Sequence, residues 1–253
     1  MTPWVLTLLT ANVLMFLLTA SFPPLYGELA LIPTLIIARP WALVTYMFLH
    51  ASLSHIFWNM LSLFFFGPRL EARLGSRNFI QLYLVSGLVG AVASAILMPH
   101  AAVVGASGAI FGVMLGFARY WPRESVLIWG VVPVPVRGLV FGMTVMNLWQ
   151  GFGVPIGGGG VANFAHLGGF LGGWAYLVWR ERRSPAARFK AGATALMRGG
   201  GITDVMRWRQ ISPAGLHPIN REELERLQKK IAEGDVGSLT PDEKAFLNRM
   251  AAN

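Results

Sequence analysis

Four polar side chains stand in stretches that are otherwise apolar: His55 and Asn59, four residues apart; Ser107, within Gly105-Ala-Ser-Gly-Ala-Ile-Phe-Gly112; and His166, within Ala162-Asn-Phe-Ala-His-Leu-Gly-Gly169. A serine hydroxyl becomes a nucleophile when a neutral imidazole takes its proton, and histidine is the side chain whose ordinary pKa suits that exchange near neutrality. Acyl transfer also requires donors aimed at the oxygen that becomes negative in the tetrahedral intermediate. The backbone N–H of Ser107 at a helix start, the amide of Asn59 and the imidazole of His55 are donors of the right kind. Taken singly, each residue reads more simply as a hydrogen-bonding residue between helices, and only their joint placement argues for a site.

That placement depends on what kind of chain carries them. Of 253 residues 54% are hydrophobic and 13% charged, and the windows 3–20, 79–98 and 161–179 hold no charged side chain at all. A helix with one face in water does not tolerate such windows, so they read as membrane spans. Apolar runs bounded by charge, Gly or Pro give six candidate spans, about 3–20, 52–67, 78–98, 106–121, 132–150 and 162–180. The expected fold is an all-α membrane protein, a six-helix bundle with a small helical tail. Arg69, Arg73 and Arg77 follow the second span, Arg119, Arg123 and Arg137 the fourth, and Arg180, Arg182 and Arg183 the sixth, whereas the opposite loops hold only Glu28 and Arg39. The positive-inside rule then places both termini in the cytoplasm and starts spans 2, 4 and 6 from the outer face. The first segment lacks a basic leading region and a small-residue cleavage site, so it reads as a retained span. The net charge of +9 belongs to this asymmetry and to the tail, which removes the reason to expect nucleic acid as a partner. Cysteine is absent, which excludes a disulfide framework and a thiol nucleophile.

With that orientation His55, Asn59, Ser107 and His166 all fall within about two turns of one membrane side, and His55 and Asn59 share a helix face. Gly108, Gly112 and Gly116 form a small-residue ridge on span 4, and Ala165, Gly169 and Gly173 form another on span 6. Such ridges let helix backbones approach closely in lipid, which brings Ser107 towards His166; ordinary bundle packing explains either ridge alone. Span 4, counted from Ser107 to Tyr120, is about 21 Å long against about 30 Å of hydrocarbon, so its outer end stops below the surface and the hydroxyl lies on the floor of a recess. Of the 12 acidic residues only Glu28 is on the outer side, so no carboxylate is placed to orient the imidazole. The pattern predicts a Ser–His pair without an acid, His166 being held by packing against Phe111 one turn below Ser107. Carboxylates for an aspartyl mechanism and a His-Glu-x-x-His motif for zinc are both missing. His50, His55 and His166 without acids or thiols make a poor metal set, so neither a metal nor another cofactor is expected.

After Pro185 the composition turns polar. The chain divides at this level into a core of residues 1–180, a basic linker over 181–215 and a small helical hairpin over 216–253. Asn220 is expected to cap the first tail helix, and Thr240-Pro-Asp-Glu243 has capping-box spacing for the second. The linker reads as a tether, with enough basic residues to lie against anionic headgroups.

The pieces His50-Ala-Ser-Leu-Ser-His-Ile-Phe-Trp-Asn-Met60, Glu71-Ala-Arg-Leu-Gly-Ser76, the segment around Ser107 and the segment around His166 together resemble the rhomboid intramembrane serine proteases. The Gly-x-Ser-Gly element alone is weak, but the combination is specific. The resemblance implies a six-helix core over roughly the first 180 residues, Ser107 as nucleophile, His166 as general base, and His55, Asn59 and the Ser107 amide as oxyanion hole. It gives Glu71 and His50 structural roles. Gly105 and Phe111 support the serine and the imidazole. The implied activity is hydrolysis of transmembrane protein substrates near their outer ends, within the lipid bilayer and without a cofactor, in the plasma membrane if the source is bacterial. A non-catalytic relative that binds and escorts transmembrane helices is the alternative; such relatives typically lack the serine or the histidine. The chain departs from the family in having Phe111 where Tyr is common, and in having Arg39 ahead of Trp41 where a Trp-Arg pair is common. The glycine run at 157–160, preceding span 6, is expected to act with span 5 as a gate for substrate.

Overall fold

The computed structural model describes residues 1–128, 131–152, 160–184, 202–233 and 236–252. They fall into two compact units, Met1–Trp179 and Arg180–Asn253. The expected gate at 157–160, all but its last residue, and residues 185–201 of the basic linker lie outside the described residues.

The first unit is built from α1 (Pro3–Ser21), α2 (Pro23–Leu29), α3 (Ala42–Thr45), α4 (Leu53–Leu74), α5 (Ser76–Leu97), α6 (Ser107–Tyr120), a β-hairpin, α7 (Val136–Phe152) and α8 (Gly160–Arg182). Six of these helices overlie the six apolar runs. Two of them, α1 and α5, are long and apolar enough by themselves to cross a membrane. The others are short or carry charge near an end: α6 has 14 residues, and α4 continues through Arg69, Glu71 and Arg73.

One local feature departs from the sequence reading. The strands β1 (Ser125–Ile128) and β2 (Val132–Pro135) pair antiparallel, Ser125 opposite Pro135 and Ile128 opposite Val132, where the fifth helix was expected to begin. Pro133 and Pro135 explain the delay, since a residue before proline avoids helical geometry and proline offers no N–H. The first outer loop, which joins α1 to α4, carries α2, a 3-10 turn at Pro33–Leu35, and α3 running into a second 3-10 turn at Tyr46–Phe48.

The segment Glu71-Ala-Arg-Leu-Gly-Ser76 turns α4 into α5 and fixes α1 as well. Gly75 takes φ 81°, a conformation that suits glycine. The Glu71 carboxylate accepts from the backbone N–H groups of Trp4 (3.1 Å) and Val5 (3.0 Å) and from the Ser76 hydroxyl (2.7 Å). The first amides of a helix have no partner within it and carry the positive end of its dipole, so a carboxylate from a neighbouring helix is a suitable cap for α1.

The first outer loop pins the chain that enters α6. Leu31 and Val103 exchange both backbone hydrogen bonds, at 3.1 and 2.8 Å, and the Gly105 N–H donates to the Tyr46 carbonyl at 2.9 Å. The Tyr46 hydroxyl reaches across to the Gly87 carbonyl on α5 at 2.7 Å. Arg39 and Trp41 grip the end of α2: Arg39 donates to the Gly27 carbonyl and the Glu28 carboxylate, and Trp41 Nε1–H to the Glu28 carbonyl. The loop is therefore seated through both residues of the rearranged Arg39/Trp41 pair.

The glycine ridges meet. A β-carbon on Gly169 would collide with the Gly108 carbonyl oxygen and lie 2.7 Å from its carbon, and one on Gly173 would lie 2.8 Å from Gly112 Cα. On the other side of α8 a β-carbon at Gly168 would lie 2.7 Å from the Val89 carbonyl oxygen of α5. Backbone thus packs on backbone from α5 through α8 to α6, with only small side chains, Ser86 and Ala93, set beside the contacts.

The second unit holds α9 (Ile202–Arg209), α10 (Pro218–Ala232) and α11 (Pro241–Met250). Trp208, fully buried, is packed with Leu224, Leu227, Ile231, Leu239 and Leu247. Residues 202–209 were expected to be linker on account of their basic character; the indole draws them into the core, so the hairpin becomes three helices. The cap of α10 is His217 rather than Asn220, because Pro218 occupies the first helical position and starts the helix earlier. The capping box of α11 has both its bonds, Glu243 N–H to Thr240 Oγ1 at 3.2 Å and Thr240 N–H to Glu243 Oε2 at 2.7 Å.

Candidate functional site

Ser107 is the first residue of α6, and the first main-chain bond of that helix runs from Ile110 N–H to the Ala106 carbonyl. The N–H groups of Ser107, Gly108 and Ala109 therefore have no acceptor within α6 and converge at the helix start. Gly105 precedes them at φ 125°, which a residue with a side chain rarely adopts. The space a β-carbon would fill there is taken by the imidazole edge of His55, with Nε2 2.7 Å from that point and Ser107 Oγ 3.6 Å from it. Gly105 is thus small for a reason: it lets His55 reach the same hollow as the hydroxyl.

The Ser107 hydroxyl and His166 Nε2 are 2.8 Å apart, across the α6–α8 seam. The His166 ring stacks on Phe111 with centroids 4.2 Å apart and planes at 12°, and Phe170 packs against Phe111 in a tilted contact at 4.8 Å. Stacking needs only the ring, so the tyrosine hydroxyl common at this position elsewhere in the family pattern is not required for it. Ser107 and His166 are both half-buried, a placement that a reagent can reach.

His55 lies in the first turn of α4, which Ser52 caps by accepting the His55 N–H at 3.1 Å. Its Nδ1 accepts from the Ala51 N–H at 3.4 Å. That contact leaves Nε2 as the protonated nitrogen, directed at the hollow beside Gly105. His50, buried, sets its ring edge-on to His55 at 4.9 Å and so backs it from behind. Asn59 is also buried and donates one N–H to the His55 carbonyl at 2.8 Å, which leaves its second N–H for another acceptor. Among the described residues no three His, Asp or Glu side chains converge as a metal would require.

One member of the hydrogen-bonded row was not anticipated. His166 Nδ1 meets the Oδ1 of Asn147, on α7, at 2.7 Å. The sequence reading held His166 by ring packing alone, because it searched for a carboxylate. An amide oxygen is an acceptor too, and the available signal was a single asparagine in the apolar run of the fifth span, the same kind of signal that singled out Asn59.

A family model described as the Rhomboid domain matches residues 38–183. Among curated proteins, the chain is 31% identical over 172 residues to Rhomboid-like protease 3 of Toxoplasma gondii, covering 66% of this chain and 59% of that protein. It is 36% identical over 134 residues to RHOMBOID-like protein 4 of Arabidopsis thaliana (53% of this chain, 32% of that one). It is 31% identical over 140 residues to Rhomboid protease GluP of Bacillus subtilis (53% and 25%). The chain thus spans less than two thirds of each of these relatives. The Rhomboid-domain match takes in more than half of the 253 residues and every residue of the site just described, from His50 to His166, and on that ground the chain belongs to the rhomboid family.

Proposed function

We propose that this chain is an intramembrane serine protease that cuts transmembrane protein substrates near their outer ends, with Ser107 as nucleophile and His166 as general base. The observation that carries the reading is the 2.8 Å approach of Ser107 Oγ to His166 Nε2 at a helix N-terminus whose amides are free of intrahelical partners. The six helices of the core cross the bilayer, with both termini on the cytoplasmic side and the site towards the outer face; in a bacterial host that bilayer is the plasma membrane. The charge asymmetry of the loops supports that orientation.

In this reading His166 Nε2 takes the hydroxyl proton as Ser107 Oγ attacks the scissile carbonyl carbon, forming a C–O bond while the carbonyl π pair moves onto oxygen. The Ser107 N–H, the His55 Nε2–H and the second N–H of Asn59 receive that oxyanion. As the tetrahedral intermediate collapses, the C–N bond breaks and the imidazolium returns its proton to the departing amine. Water, deprotonated by the same imidazole, then releases the acyl group and restores the serine. The short α6 serves this chemistry by setting the serine below the membrane surface, in a hollow that water can enter from outside.

The reading is tested on the full chain in detergent with a fluorescent fluorophosphonate, alongside cleavage of a reconstituted transmembrane substrate. Wild type is expected to label and to cleave, Ser107→Ala to do neither, and His166→Ala to lose on the order of a thousandfold in both rates. Labelling that survives Ser107→Ala means another nucleophile. A wild type that holds the substrate helix without labelling or cleaving it is an escort, not a protease.

A further inference from the structure

The second nitrogen of His166 has a partner that the pair chemistry leaves unexplained. Asn147 is buried on α7, a helix whose other described residues are largely exposed: Phe141, Val145, Met146, Leu148, Trp149 and Phe152 all face outward. An asparagine within an apolar helix is poorly placed unless its amide is fully bonded. Here it is bonded on both sides, Oδ1 to His166 Nδ1 at 2.7 Å and Nδ2–H to the Met143 carbonyl at 2.7 Å.

The second bond settles the first. A carbonyl accepts and does not donate, so the Asn147 group that faces Met143 must be the NH2, and the group that faces His166 must be the oxygen. An oxygen facing Nδ1 requires the proton on Nδ1, and with it the lone pair on Nε2, the nitrogen 2.8 Å from the Ser107 hydroxyl. A histidine in the other tautomer presents a proton to the serine and cannot accept one.

We propose that Asn147 is a positioning residue for His166: through the Met143-anchored amide it holds the imidazole in the Nδ1–H tautomer and in the plane that faces Ser107. The pair thereby becomes a row of three, with a neutral amide in the place that an acid fills in serine hydrolases of other folds. The amide oxygen also accepts a stronger bond from the imidazolium than from the neutral ring, so its effect is greatest as the proton moves. Ring stacking on Phe111 sets the tilt of the imidazole but is indifferent to its tautomer, so the two supports are complementary.

This inference rests on the protease reading above, and the experiment separates the two. The full chain is compared in detergent as wild type, Asn147→Leu and Asn147→Asp, reading kcat, KM, the pH dependence of cleavage and the thermal midpoint. Asn147→Leu keeps the volume and removes the acceptor; it is expected to lower kcat about ten- to a hundredfold with KM within about twofold. Asn147→Asp keeps the acceptor and adds a negative charge. It is expected to retain most of the activity and to move the acidic limb of the profile to higher pH, because a carboxylate favours the protonated imidazole. His55, on α4, is the other titratable group facing the hollow, and it is unchanged in all three chains. Asn147→Leu within about twofold of wild type overturns the inference, as does equal loss in both variants with an unshifted profile, which would mark Asn147 as a packing residue. A wild type that neither labels nor cleaves instead removes the reading on which the inference stands.

Discussion

The two units of this chain are held together by opposite means. In the second, Trp208 and five aliphatic side chains bury one another beneath a shell of charge in which Arg226 and Lys230 meet Glu243. Side chains are large there because removing them from water is what stabilises the unit. In the first, the α6–α8 and α5–α8 contacts run through glycine backbone, at Gly108, Gly112, Gly168, Gly169 and Gly173, with the small side chains of Ser86 and Ala93 beside them. Transfer from lipid into a helix interface offers no hydrophobic gain, so dispersion between closely opposed backbones has to serve. The same mutational step should therefore have opposite signs of danger in the two units. Removing bulk harms the second, and adding it harms the first.

The largest effect is expected where the second unit is emptied. Trp208→Ala removes a fully buried indole together with its hydrogen bond to Asn248, at a cost of about 4 kcal/mol. For a unit of three short helices this is most of the available stability. Hydrogen exchange on the full chain should show the amides of α10 and α11 losing their protection. Retained protection would mean that the tail does not depend on its apolar core.

The complementary change adds one methyl group to the first unit. Gly169→Ala places a β-carbon on the Gly108 carbonyl, where a backbone atom blocks it and no rotamer can relieve the clash, so α6 and α8 must part. We expect a loss of about 3 kcal/mol, read as a lower thermal midpoint in detergent, with cleavage falling in step because the seam carries Ser107 and His166 on its two sides. A midpoint equal to that of wild type would show that the ridges are not in backbone contact, and the contrast between the units would lose its basis.

Gly105→Ala sharpens the contrast by adding a methyl group to the site instead of the seam. The residue must keep φ 125° and would press the new carbon against the His55 ring, 2.7 Å from Nε2. Backbone strain alone is worth about 2 kcal/mol. The displaced imidazole should also cost about a hundredfold in cleavage, on the scale of losing one oxyanion donor, a larger functional loss for a smaller structural one than at Gly169. Proportionate losses at the two positions would mean that Gly105 serves the fold alone.

What was legible beforehand follows from the same physics. Small residues at a spacing of four are conspicuous in sequence, so the facing of spans 4 and 6, and with it the approach of Ser107 to His166, could be read from Gly108, Gly112, Gly169 and Gly173. Polar groups in apolar runs are conspicuous for the cost they carry, and His55 and Asn59 stood out on that basis. Asn147 carried the same signal and was passed over, because the search for a partner to His166 was confined to acids. The hairpin at 125–135 was hidden by a run of apolar residues that suits a strand as well as a helix. Its prolines, Pro133 and Pro135, were the available warning. Residues 202–209 read as linker because their charge pattern was weighed and Trp208 was not; what the indole packs against comes from α10 and α11, far enough along the chain that no local pattern reveals it.

The smallest effect concerns the charged shell of the second unit, which has no counterpart along the glycine seam. The Thr240 backbone N–H, the Arg226 guanidinium and the Lys230 ammonium all meet the Glu243 carboxylate and hold its pKa down to about 2, from an ordinary value of 4.5. A carboxyl depressed on folding adds stability that is fully present above its unfolded pKa and disappears as pH falls through the folded one. The contribution should therefore be intact at pH 6, decline below about pH 4.5 and be gone near pH 2. Arg226 is half exposed, so solvent screens that ion pair and the whole contribution is held to about 1 kcal/mol. Exchange protection of α11, followed from pH 6 downward in wild type and Glu243→Gln, should differ at the start and converge in acid. If the two chains ran parallel throughout, the carboxylate charge would add nothing, and the second unit would stand on its apolar core alone.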